Sequence, residues 1–381
     1  MYVTRRMSNR SHKIRLVPNK EQEVLLRKTV GATRFAYNWG LDKWSELYNK
    51  GEKVSPYILS NIWTKERPEW SREVSTCPPR HAFMNLGGAF KAFFRKQAKY
   101  PKYHKKGRKD SFYLSNQKAQ LNENKIFIQR IGWIKLREPL RYSSCKINSY
   151  VVSRKCGEWY VSVQCEGVDD RRTDSTSAIG VDVGCKNWIT TSDGQVLKSP
   201  GQIKDLERRL KRKQRLLERK KKGSSNKRKA YERVAKLYHR IDNIKLDIIH
   251  KFTSTITKNH GIVVVEDLNV ESMKEKGVKS TRKGIQNSMM SEILRHLSYK
   301  ANQVVKVDRY YPSSKRCSNC GNVKEHLELS DRTYHCDSCH TTIDRDLNAS
   351  LNILQEGLRL ISLSTVGHTV KDCGDSLKDS K

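Results

Sequence analysis

The sequence predicts a multidomain chain of mixed α+β and α/β class. A small antiparallel β-barrel is interrupted by a helical insertion, and an α/β domain follows with a cysteine knuckle pair inserted near its end. Three observations carry this reading. Two apolar runs break on a carboxylate, Ile179-Gly180-Val181-Asp182-Val183-Gly184 and Ile262-Val263-Val264-Val265-Glu266-Asp267-Leu268, as strands buried on both faces do. An alternation of period two fills 111–167, and a shorter one precedes it at 12–18. Cys317-x2-Cys320 and Cys336-x2-Cys339 stand 15 residues apart, the spacing of a tetrahedral four-thiolate zinc site.

In chain order, His12 to Pro18 reads as a short strand stopped by proline. Asn19-Lys20-Glu21-Gln22 is a helix start with Gln at the third position. Apolar residues then recur at helical spacing, and Phe83, Leu86, Ala89, Phe90, Phe93 and Phe94 form a second stripe that reads as core. The run from Tyr100 to Lys109 has no apolar face to bury. Its cations Lys102, Lys105, Lys106, Arg108 and Lys109 are expected to contact phosphates. Beyond Ser111, four strands are expected near 125–129, 133–137, 146–152 and 159–164, with turns at 122–124, 131–132 and 156–158. Because the barrel's two sequence parts flank the helices, the expected domains are 1–18 plus 110–170 for the barrel and 19–109 for the insertion.

The second domain is expected over 171–356, with the zinc-binding segment at 312–343 and a poorly ordered tail at 357–381. A hairpin follows the first acidic strand, turning at Asp193-Gly194. Two basic helices at about 201–222 and 225–259 break at 223–226, with a seam through Val234, Leu237, Ile241, Ile244, Ile248, Phe252 and Ile256. Few acids are available to pair with the bases on their outer faces, so Lys220, Lys221 and Lys222 at the tip are expected to face nucleic acid. A helix at 291–304 and a strand at 305–310 lead to the cysteines. His340 is adjacent to them and superfluous, since four thiolates already close the site.

Asp344-Arg345-Asp346-Leu347-Asn348-Ala349 then opens a helical pattern. Carboxylates at two strand ends and one helix start can converge, here Asp182, Glu266 and Asp346. Oxygen ligands suit Mg²⁺, and a pair of such ions about 3.5–4 Å apart stabilises both oxygens of a phosphodiester under attack. The bulk composition points the same way. Lys and Arg number 76 against 40 Asp and Glu, a net charge of +36 in 381 residues, which argues for a polyanionic partner. No apolar run approaches the about 20 residues of a membrane span, and no secretory signal precedes the first strand. Four of the ten cysteines lie in the two pairs and the rest are scattered, a usage that suits a reducing cytoplasm better than a disulfide framework.

At these motifs the chain resembles TnpB, the insertion-sequence family related to type V CRISPR effectors. The resemblance rests on Gly180-Val181-Asp182-Val183-Gly184, Val265-Glu266-Asp267-Leu268-Asn269, Cys317-Ser318-Asn319-Cys320-Gly321 and Asp344 to Ala349, and on Arg34-Phe35-Ala36-Tyr37-Asn38-Trp39 near the start. It implies a wedge-like barrel interrupted by a recognition lobe, then an RNase H-like RuvC nuclease domain with an inserted zinc ribbon. It implies that Asp182, Glu266 and Asp346, not Asp344, form the catalytic triad with two Mg²⁺ ions, and that Cys317, Cys320, Cys336 and Cys339 hold one structural Zn²⁺. It further implies a transposon-derived guide RNA, a double-stranded DNA target beside a short adjacent motif, and cleavage of both strands. Two other activities fit the residues alone: an RNase H-like transposase or recombinase without RNA, and a non-cutting RNA-guided DNA-binding repressor.

Overall fold

The computed structural model describes residues 7–108, 110–142, 145–169, 175–328 and 331–374, with the backbone alone at 169, 279–280 and 364–374. The chain divides into two compact units, Met1–Asp170 and Arg171–Lys381.

The first unit begins with β1 (Met7–Val17) and continues through α1 (Lys20–Asn49), α2 (Pro56–Glu66) and α3 (Cys77–Phe94). Asn19 caps α1 in a full capping box with Gln22, which satisfies two of the N–H groups a helix start leaves open. The three helices share an aromatic core in which Trp44 stacks on Phe90 at 4.5 Å. The second apolar stripe divides: Phe83, Leu86 and Phe90 are buried, and Phe94 is exposed. Six strands follow, β2 (Ser111–Ser115), β3 (Ala119–Asn122), β4 (Lys125–Ile128), β5 (Gly132–Leu136), β6 (Lys146–Lys155) and β7 (Glu158–Asp169). The sequence had shown only the last four. The first two are five and four residues long and were not singled out from the alternation that runs through 111–167. All seven strands form one antiparallel sheet, near-closed as a barrel, in the order β2-β6-β7-β1-β5-β4-β3. β1 lies between β7 and β5, so the helices interrupt a sheet whose first strand is central.

The second unit is built on β8 (Ala178–Asp182), β9 (Asn187–Thr191) and β10 (Val196–Lys198). The basic hairpin α4 (Gly201–Glu218) and α5 (Ser225–Asn259) follows, then β11 (Ile262–Glu266). Three helices, α6 (Val270–Lys276), α7 (Lys279–Ser288) and α8 (Met290–Lys300), precede β12 (Gln303–Val307). The short hairpin β13 (Thr333–His335) and β14 (Thr342–Asp344) leads into α9 (Arg345–Gly374). The sheet order is β10-β9-β8-β11-β12, with β11 parallel to both β8 and β12 and the outer pairs antiparallel.

Both faces of this sheet are covered. Ile179, Val181, Val263 and Val265 join the helices α4, α5 and α8 in one core. On the other face Val264 and Val307 pack on Ile353 of α9. The α5 seam follows most of its expected course: Val234, Ile241 and Ile256 are buried, and Leu237, Ile244 and Phe252 pack against the same core. The periodicity did not mark Lys245, Ile249 and Thr253, which are buried as well; the Lys245 ammonium lies 3.4 Å from Glu207 of α4.

α9 runs past 357, where the poorly ordered tail was expected to begin. The helix continues to Gly374, and only the last seven residues, 375–381, fall outside the described part. Gly357 does not end it; a Cβ there would sit 2.3 Å from Val264. Gly180 is the matching position on β8, where a Cβ would come 2.1 Å from the Ser350 carbonyl oxygen and 2.8 Å from Leu354. Two absent side chains thus let α9 lie directly on the central strands, and this contact sets where the helix begins. Gly180→Ala is expected to lower stability by about 3 kcal/mol, because the obstacle is backbone and cannot rotate away. Gly31→Ala on α1, which meets nothing within 4 Å, is expected to raise it by about 0.5–1 kcal/mol. Thermal melts of the two variants measure the contrast; equal effects would mean that the α9 contact is loose.

Candidate active site and metal centre

The two central parallel strands end side by side on carboxylates. Val265 is in register with Val181, so Asp182 and Glu266 close adjacent strands at their C-terminal ends, where open α/β sheets place their chemistry. Asp346 lies in the first turn of α9, which the glycine contacts hold against β8. Asp182 feels the other two acids. Burial, then Glu266, then Asp346 push the Asp182 carboxyl up to about 8, against the Val183 backbone N–H and Arg345, which act to lower it. Burial also raises Glu266, partly offset by a hydrogen bond from the Ser313 hydroxyl to its Oε1. Asn187 Nδ2 donates to Asp346 Oδ2 at 2.8 Å. The Asn187 Oδ1 is buried without a described partner.

The two aspartates of the third motif have different tasks. Asp344 Oδ1 accepts from the backbone N–H of Asp346 at 3.0 Å and of Leu347 at 3.1 Å. It therefore caps α9, and Asp346 is the one beside Asp182.

The cysteines form the second centre. Cys317, Cys320, Cys336 and Cys339 have sulfurs that all lie within 4.8 Å of one another, the one such set found among the described residues. Each knuckle is closed by the same bond: Gly321 N–H to the Cys317 carbonyl at 2.9 Å, and His340 N–H to the Cys336 carbonyl at 3.0 Å. Gly321 and His340 both take positive φ, 81° and 56°. The role of His340 is thus that of a knuckle residue in the left-handed region, a task no ligand-spacing argument reveals. The Thr341 hydroxyl and backbone N–H hold the Cys339 thiol down to about 5. The backbone N–H groups of Cys339 and Ser338 lower Cys336. At Cys320 the Asn322 backbone N–H favours the thiolate, but the neighbouring thiols outweigh it and push it up to about 12. Four sulfurs this close cannot all be charged unless a cation sits among them, which is the donor set of Zn²⁺.

The predicted nucleic-acid contacts fall on two surfaces, one in each unit. Lys102, Lys105, Lys106 and Arg108 are exposed in the loop after α3, with no ion pair among the described residues; Lys109 lies outside the described residues. The loop itself is pinned. His104 stacks on Tyr37 at 3.7 Å and its backbone exchanges hydrogen bonds of 2.8 and 3.1 Å with Asn38, while the Tyr103 hydroxyl donates to Asp42. Lys220, Lys221 and Lys222 are exposed in the turn between α4 and α5. Sequence reasoning missed Asn187 and Ser313. Each is a polar loop-edge residue whose partner is far along the chain, and Ser313 alone carried a weak signal, its place before the first knuckle.

A five-stranded mixed sheet with acids at two central strand ends and one helix start, together with a zinc-ribbon insert, is the architecture of an RNase H-like nuclease domain of the RuvC type. The comparisons agree. The family model OrfB_IS605, described as "Probable transposase", matches residues 160–277, and the Cas12f1-like TNB domain matches 291–353. A third match, described as "Helix-turn-helix domain", covers 7–53; here that stretch folds as β1 and one unbroken helix. Two curated relatives share the name "Putative RNA-guided DNA endonuclease". InsQ of Escherichia coli (strain K12) is 30% identical over 97% of this chain and 95% of its own. The Streptomyces pristinaespiralis protein is 32% identical over 98% and 92%. The solved Cas12f1–sgRNA–target DNA complex matches with TM-score 0.56 at 14% identity, covering 91% of this chain and 98% of that one. The chain belongs to the TnpB family of insertion-sequence proteins.

The metal centre generates a direct expectation. Cys336→Ser should remove about one equivalent of zinc and lower the melting temperature, since an opened four-thiolate site loses its ion. His340→Gly should keep both, because glycine accepts the same φ. Metal analysis and melts read the two variants; a folded, zinc-free wild type would contradict the assignment.

Proposed function

We propose that this protein is an RNA-guided endonuclease that cuts double-stranded DNA beside a short adjacent motif, using Asp182, Glu266 and Asp346 to hold two Mg²⁺ ions. The observation that carries the reading is the meeting of these three carboxylates in a chain that aligns end to end with RNA-guided DNA endonucleases. The donor set fits the ions. All three groups offer oxygen, the ligand type Mg²⁺ takes, and Asp182 is driven toward neutrality when no cation is near. Bound Mg²⁺ supplies Lewis-acid activation of the phosphodiester and of the attacking water.

The protein's own residues do the rest. Asp182 and Glu266 present their carboxylates from rigid strand ends. Asn187 orients Asp346. The acids would otherwise repel the DNA backbone, so the cation sites and the surrounding bases set where a phosphate can approach. Guide–target pairing provides sequence choice while the protein follows duplex shape and backbone. Lys102, Lys105, Lys106, Arg108, Lys109 and Lys220 to Lys222 hold RNA or DNA phosphates in this reading. Zinc in the four-cysteine site is structural. The protein works in the cytoplasm, where its thiols remain reduced.

The test is expression with native flanking DNA, sequencing of copurified RNA, and a Mg²⁺-dependent cleavage assay on matched and unmatched duplexes. Asp182→Ala, Glu266→Ala and Asp346→Ala should abolish cutting while guided binding persists. Asp344→Ala should retain cutting at reduced stability, about 1 kcal/mol for a lost cap. A dead Asp344→Ala beside an active Asp346→Ala would reverse the assignment. Changing Lys220, Lys221 and Lys222 together to Gln should flatten the log–log salt dependence of nucleic-acid binding by up to about 3. An unchanged slope would place that turn away from phosphates.

A further inference from the structure

Glu266 carries its carboxylate on a long side chain at a strand end, so something must fix the rotamer. Among the described residues that something is Ser313, whose hydroxyl donates to Glu266 Oε1 across 47 positions of sequence. Ser313 is itself held on every side. It is 5% exposed. Its N–H bonds the Tyr311 carbonyl at 2.8 Å, and the preceding Pro312 carbonyl takes the N–H groups of Lys315 and Arg316. Its own carbonyl accepts from Asn352 Nδ2 at 2.8 Å. Asn352 and Asn348 both donate to the Arg316 carbonyl, at 2.6 and 2.7 Å, one residue before Cys317. The Ser318 N–H returns a bond of 3.0 Å to Asn348 Oδ1. Asn348 and Asn352 are fully buried on α9, the helix whose first turn carries Asp346.

We propose that Ser313 is a positioning residue for Glu266, and that the zinc ribbon and α9 together hold Ser313 in place, so that the ribbon sets the metal affinity of the nuclease site. This rests on the reading of Glu266 as a metal-binding carboxylate. The hydroxyl occupies Oε1 and leaves Oε2 without a described protein partner, so one oxygen of the carboxylate is fixed and the other is free to take a ligand. Groups that hydrogen-bond a metal-ligating carboxylate usually change metal affinity by about 10–100-fold when removed. The loop's backbone bonds do not involve the hydroxyl, so Ser313→Ala removes the donor and leaves the clamp.

The experiment uses the full-length RNA complex with Fe²⁺ in place of Mg²⁺. Ascorbate-driven radical cleavage then cuts the polypeptide near bound iron, a readout independent of DNA cutting. Wild type should be cut near 182 and 266 with a measurable half-saturating Fe²⁺. Ser313→Ala should raise that value about tenfold at unchanged zinc content. Ser313→Thr, which keeps the hydroxyl, should return it. Asn352→Ala should shift it in the same direction with Ser313 and Glu266 intact. The half-saturating Mg²⁺ for DNA cutting should follow, with the rate at saturation largely recovered. An unchanged half-saturation in Ser313→Ala, or equal impairment in Ser313→Thr at full zinc content, would overturn the proposal; if Ser313→Ala loses zinc, Asn352→Ala decides. Absence of iron cuts in wild type would instead overturn the triad reading itself, so the two failures are distinct.

Discussion

Burial of carboxylates beside one another is the constraint around which the second unit is built. Burial first, then Glu266 and Asp346, drive Asp182 up to about 8, so the arrangement opposes itself. It persists because each acid is anchored by an element that cannot easily move. Two acids end the central strands of a sheet covered on both faces. The third begins a helix that presses on those strands through Gly180 and Gly357. Packing energy from the apolar residues of β8, β11 and α9 offsets the electrostatic cost. This is why the strands are nearly continuous runs of apolar residues, and why the strand–helix contact has a glycine on each side, Gly180 on β8 and Gly357 on α9.

The same logic at larger scale accounts for the surplus charge. With +36, the surface repels itself unless a polyanion lies against it. The basic hairpin shows how the excess is managed. Its inner face is mainly apolar, with His239, Thr253, Thr257 and the Lys245–Glu207 pair buried among the hydrophobic residues, and its outer cations are left to solvent at the turn. In the first unit the basic loop after α3 is tied to α1 by Tyr37, Asn38 and Asp42. A cation on a pinned loop loses less freedom on meeting a phosphate than one on a free tail. Aromatic residues interleaved with the lysines thus serve as anchors for the loop.

Much of this was legible in the sequence, for physical reasons that also explain the rest. Apolar runs ending on acids, cysteine pairs at fixed spacing and a capping box are local patterns, and each needs only its neighbours to be read. Asn187, Ser313, Asn348 and Asn352 act through hydrogen bonds to distant segments, which leave no periodic trace. By Gly357 the apolar pattern has already decayed. The Ser- and Thr-bearing stretch after it has weak helix propensity. Contact with Val264 overrides that local signal at Gly357, and the helix continues. α6 and α7 were hidden by the scarcity of apolar residues in 270–288.

Each acid also has one local donor of its own. Asp182 has the Val183 N–H, Glu266 the Ser313 hydroxyl, and Asp346 the Asn187 amide. Asp346 gains in addition the positive end of α9, at whose first turn it stands. One donor per carboxylate fixes an orientation without satisfying the charge, because an ionised carboxylate can accept several bonds. Full satisfaction by the protein would stabilise the acids as they are and leave little reason to take up a cation. The site instead holds its acids oriented and under-satisfied. The four cysteines are arranged on the opposite principle: their sulfurs are close enough to enclose one ion completely. An open oxygen site and a closed sulfur site are joined through Ser313 and the polar edge of α9. Of the two, only the open one leaves room for water and a phosphate.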